Sequence, residues 1–167
     1  MAVEKTLWYR RFRTAAYANA VGSMLWTIAI VLPFAPYSYL QPIIVGGGPG
    51  TWFLVGYILY PIVGVGGFAS ISSFLFAIET YERRNLNQGI MLTGLILLYG
   101  GVLAGCVLLG IAGVSGGYAI IIQHSTVSVA QSVLSPYVTP ITTASLAAVA
   151  GAGVSIYGMA TAKATKT

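Results

Sequence analysis

The side chains able to ligate a metal or move a proton are few and scattered. The one histidine, His124, is followed by Ser125, and the one cysteine, Cys106, lies well before it. A histidine beside a serine is half of a nucleophile–base pair, but neighbours in sequence do not make a triad, which is defined by geometry. One histidine cannot give bis-histidine haem ligation within the chain, and His124 with Cys106 at a different depth makes no metal site. His124 as a lone ligand would have to share its metal with another subunit; a surface or interface histidine is the simpler reading. Cys106 has no partner for an intrachain disulfide, and in an apolar run it reads as a small buried residue. Met24, Met91 and Met159 also lie in apolar runs and read as packing residues.

Two glycine-rich runs are next. Gly46-Gly47-Gly48-Pro49-Gly50 lacks the Lys-Ser/Thr of a phosphate loop. Gly64-Val65-Gly66-Gly67-Phe68-Ala69 looks superficially like a dinucleotide fingerprint, but no strand-to-helix turn surrounds it. Asn19, Asn85 and Asn87 are not N-glycosylation acceptors, since none has Ser or Thr two positions on.

The elements that would carry these residues are set by where charge is absent. The chain is 57% hydrophobic and 7% charged, against about 25% charged in an ordinary soluble domain. Such a surface calls for lipid as its solvent. Every charge falls in one of three clusters: Glu4, Lys5, Arg10, Arg11 and Arg13; Glu79, Glu82, Arg83 and Arg84; Lys163 and Lys166. The uncharged blocks 14–78 and 85–162 are each too long for one crossing, which needs about 20 apolar residues. Each fits two crossings joined by an outer loop. Ionisable groups inside the bilayer usually mark ion pathways, and here there are none, which disfavours a proton-coupled carrier.

The fold class expected is therefore all-α: a four-helix bundle in the membrane, forming a single domain. Crossings are expected at about 15–37, 51–78, 89–112 and 139–162. All eight Lys and Arg then lie on one side, which the positive-inside rule makes cytoplasmic, along with both termini. The net charge of +5 is a topology signal, not a nucleic-acid patch, because it is split among three membrane-edge sites. Arg10, Arg11, Arg13, Arg83 and Arg84 are the expected interface anchors, with Trp8, Tyr9 and Phe12 at headgroup level. The first apolar run, with arginines before it, reads as a signal anchor rather than a cleaved signal.

Local detail follows. Pro61 should kink the second crossing or break its ladder. Glu79 and Arg83 have helical i, i+4 spacing and can pair. Gly101 and Gly105 form a GxxxG pair, as do Gly113 and Gly117, and both mark packing faces. The fourth crossing is rich in small residues, Ala147 and Gly151 among them, so it is expected to be mostly enclosed. The connection from Tyr118 to Tyr137 is expected to be the longest outer one, as an interfacial helix or irregular cover. The outer segments Tyr37–Gly50 and Ser115–Tyr137 carry no charge, which fits burial against partner subunits or a very acidic exterior. The two halves show no convincing internal repeat, so an inverted-repeat transporter is not expected.

Three classes remain: a non-catalytic subunit of a larger membrane complex, a self-assembling envelope or coat protein, and a small channel or transporter. In size, topology and neutral outer loops the chain resembles the small four-helix accessory subunits of terminal respiratory oxidases in acidophilic archaea. That resemblance implies a place beside a catalytic subunit in the cell membrane, in contact with other membrane subunits and lipids. It implies no cofactor held by this chain alone, with a lipid or quinone bordering the subunit interface.

Overall fold

The computed structural model describes residues 7–164. Glu4, Lys5 and Lys166 of the terminal charge clusters lie outside the described residues. Helix α1 spans Trp8–Val31, α2 spans Leu40–Val45, α3 runs unbroken through Gly50–Tyr81, α4 through Gln88–Ile122, and α5 spans Val127–Ala160. All but α2 are long and apolar enough to cross a membrane. Strands β1 (Arg84–Asn85) and β2 (Lys163–Ala164) pair antiparallel, Arg84 opposite Ala164.

Helix boundaries follow local chemistry. α1 stops before Pro33, whose ring holds Leu32 extended, with ψ at 128°. Before α3 the chain turns through Gly47 and Gly48, with φ at +70° and +55°, where a side chain would be strained. Within α3, Pro61 has no N–H to continue the α-helical ladder, and Tyr60–Gly67 widens into π-helix. The expected disturbance takes this form. Asn19, buried on α1, donates from Nδ2 to the Gly64 carbonyl of that stretch at 2.7 Å. Asn87 caps α4 by accepting from the Ile90 amide at 3.2 Å.

The long helices pack in chain order: α1 against α3, α3 against α4, and α4 along α5. A core of Trp8, Phe12, Tyr60, Phe68, Leu75, Met91 and Leu98 joins α1, α3 and α4. Four sequence expectations are corrected here. The helix expected at 15–37 starts at Trp8 and ends at Val31. Trp8 and Phe12, expected to face the headgroups, turn their rings into the core. Helices α4 and α5 extend well past 112 and 139, so only residues 123–126 join them, and the longer uncapped connection is 32–49. Finally, α5 is not enclosed: it packs one face on α4 and leaves Leu146, Val149, Ile156 and Tyr157 exposed.

Candidate functional site

Two features stand out: a close seam between α4 and α5, and a charged end where three segments meet.

The seam is built from small residues. On α4, Met91, Gly94, Leu98, Gly101 and Gly105 alternate three and four positions apart; on α5, Ala144, Ala148, Gly151, Ser155 and Gly158 do the same. That heptad-type spacing keeps one stripe of each helix facing its neighbour. A methyl group added at Gly101 would fall 2.6 Å from the Ala144 carbonyl oxygen and 2.8 Å from the Ala148 Cα. At Gly151 it would fall 2.7 Å from the Leu98 Cα, and at Gly158 2.7 Å from the Met91 sulfur. Gly105 is looser, with the Ala144 Cβ at 3.7 Å. Ala147 lies beside the seam and lines a furrow of about 520 Å³ with Gly100 and Thr143. Buried Ser155 turns its hydroxyl back to the Gly151 carbonyl at 2.9 Å, so that hydroxyl is paired inside the contact.

Gly113 and Gly117 face elsewhere. A methyl on Gly113 would strike the Phe53 backbone of α3, and one on Gly117 would strike the Ile43 side chain of α2. Gly101 and Gly113 are twelve positions apart, about a third of a turn out of phase at 3.6 residues per turn. One glycine pair thus serves α5 and the other serves α2 and α3. Gly94, Ala144, Ala148 and Gly158 are seam residues that the GxxxG pairs and the small-residue content of the fourth crossing do not single out. Their alternating three–four spacing was the signal that would have found them.

At the charged end, the Glu79 carboxylate accepts the Trp8 amide at Oε1 and the Tyr9 amide at Oε2, each at 3.0 Å. A carboxylate from the end of α3 therefore caps the start of α1, satisfying orphan donors at the positive end of the helix dipole. Ser72 adds a hydrogen bond to the Tyr9 carbonyl at 2.8 Å. Arg84 pairs with Glu82 at 2.9 Å. Nearly half exposed, that pair contributes about 0–1 kcal/mol. The β1–β2 ladder brings the end of α5 to the same place. Arg10, Arg11, Arg13, Arg83, Arg84 and Lys163 accordingly gather at one end of the molecule. The Arg11 guanidinium carbon sits 4.3 Å from the Trp8 ring centroid, and that of Arg13 lies 5.6 Å from the Tyr9 ring.

The chemically capable side chains stay apart. Cys106 is buried in mid-α4, while His124 is exposed in the short α4–α5 connection with φ at +53°. Helical rise separates them by roughly 25 Å. Among the described residues, no three of His, Cys, Asp and Glu come together as a metal-holding group. Apolar grooves line the flanks. One of about 370 Å³ lies where Trp26, Phe53 and Ile111 bring α1, α3 and α4 together. Another of about 270 Å³ lies where Leu59, Gly105 and Val149 bring α3, α4 and α5 together.

No family model matches the chain, and no curated protein or solved structure matches it. The class that the fold defines is a helical chain with four helices long and apolar enough to cross a membrane.

Proposed function

We propose that this chain is an integral membrane protein that crosses the bilayer four times, with its charged end cytoplasmic. We propose further that it is a non-catalytic subunit supporting the assembly and stability of a larger membrane complex, with a respiratory oxidase as the parent. Exposed large apolar residues on all four long helices support the membrane reading, because soluble monomers rarely expose large contiguous apolar patches. The gathering of cations at one end supports the orientation. The observation that carries the subunit reading is α5. It buries only its small-residue stripe and leaves a second furrow, at Thr143 and Ala147, with none of the described helices over it. Small-residue surfaces are where membrane helices approach closely. A lipid or quinone would occupy the apolar grooves at such an interface.

Extraction from native membranes in mild detergent, then native-gel mass spectrometry and a visible spectrum of the same band, tests this reading. Co-migration with large subunits and a haem spectrum is the expected result. Co-migration without haem would remove the respiratory parent but keep the subunit role. A band of this chain and lipid alone would overturn the subunit role. The same open α5 face fits a second copy of the chain, so a ladder of homo-oligomers in that band would favour the self-assembling envelope or coat reading.

A further inference from the structure

Near the charged end, α1 and α4 leave a second groove of about 370 Å³ between them. Its walls are Ala15 and Ala18 of α1 and Leu95, Ile96 and Tyr99 of α4, and Arg11 and Thr14 stand at its charged-end mouth. From Arg11 to Ala18 the groove follows α1 for about 10 Å. Among the described residues no carboxylate lines it, and Glu79, which caps the start of α1, is engaged by the Trp8 and Tyr9 amides. Arg11 is half-buried and held over the Trp8 ring at 4.3 Å, so its charge is positioned rather than swept through solvent.

We propose that this groove binds one anionic lipid, with an acyl chain lying against Ala18, Leu95 and Ile96 and the headgroup phosphate meeting Arg11. An apolar channel with a single cation at its headgroup-level mouth is complementary to such a molecule in both parts. A zwitterionic lipid matches the channel but gains less at Arg11. The inference rests on the membrane reading and not on the identity of any parent complex.

The test is native mass spectrometry of the chain released from nanodiscs containing equal amounts of phosphatidylglycerol and phosphatidylcholine. The wild type should retain phosphatidylglycerol preferentially. Arg11→Gln should lower that preference about fivefold, the size expected for one cation near an anionic lipid surface. Arg13→Gln makes the same charge change outside the groove and should lower it less than twofold. An Arg11→Gln ratio equal to that of Arg13→Gln would overturn the proposal. Ala18→Leu leaves every cation in place and fills the channel, so it should release one bound lipid of either kind; an unchanged lipid count would also overturn it, even if Arg11→Gln fails to fold. A chain that does not enter nanodiscs at all would contradict the membrane reading and this inference with it.

Discussion

Gly101 and Gly105 form one GxxxG pair in sequence, yet the structure gives them different surroundings, and a single methyl group should separate them. In Gly101→Ala the new methyl would meet the Ala144 carbonyl oxygen at 2.6 Å and the Ala148 Cα at 2.8 Å. Both are backbone atoms of a long helix, so neither can swing aside as a side-chain end can. Restoring ordinary contact at 3.5 Å or more requires α4 and α5 to part by about 1 Å. A gap of that size forfeits a quarter to a half of each dispersion contact along the seam. Overpacking of this kind typically costs about 1–3 kcal/mol. In Gly105→Ala the nearest atom is the Ala144 Cβ at 3.7 Å, an ordinary contact. Both variants gain the same helix propensity, about 1 kcal/mol for alanine over glycine, so it cancels between them. Gly101→Ala should therefore unfold more easily than Gly105→Ala by about 1–3 kcal/mol. The assay is unfolding of the purified chain in dodecylmaltoside on titration with sodium dodecyl sulfate, read by helical circular dichroism. Equal midpoints, or the reverse order, would refute the seam as described.

Other perturbations probe separate contacts. Glu79→Ala removes the acceptor for two amides at the start of α1 and should destabilise the chain by about 1–2 kcal/mol in the same titration, with Glu79→Gln losing less. Asn19→Ala removes the donor to the Gly64 carbonyl and should cost about 1–3 kcal/mol, with faster amide exchange in the Tyr60–Gly67 stretch. Gly113→Val should part α3 from α4, because the methyl groups meet the Phe53 backbone; a midpoint equal to wild type would contradict that contact. Gly153→Ala faces open space and should be neutral or slightly stabilising.

How much of this could be read from the residues alone depended on the range of the interaction. The uncharged blocks and the Lys and Arg clusters marked out four long helices, because lipid-scale apolar length is a local property of the chain. Helix ends were less legible. α1 begins among charged residues because Glu79, seventy positions away, caps it, and no local signal carries that. The fourth helix was expected from about 139, yet α5 starts at Val127 and carries Pro136 and Pro140 inside it. The neighbouring Thr142 and Thr143 hydroxyls bond back to carbonyls four residues earlier, so the helix there is laced by side chains. Trp8 and Phe12 look amphipathic beside arginines, but their rings turn inward while Arg11 stacks outside Trp8. GxxxG spacing located packing faces without naming their partners, since the phase between Gly101 and Gly113 matters only once α3 and α5 are placed. The small residues of α5 suggested a mostly enclosed helix; within this chain it buries little beyond the stripe at heptad spacing.

Multi-pass insertion with every described cation on one side is the central claim, and site-directed labelling tests it most directly. In a Cys106→Ala background, single cysteines at Asn85 and Gln123 place one thiol in the charged connection and one at the opposite end. A membrane-impermeant maleimide applied to intact cells should label the Gln123→Cys variant alone, and the Asn85→Cys variant only after permeabilisation. Labelling of both from the same side, or of Asn85→Cys alone in intact cells, would contradict the account.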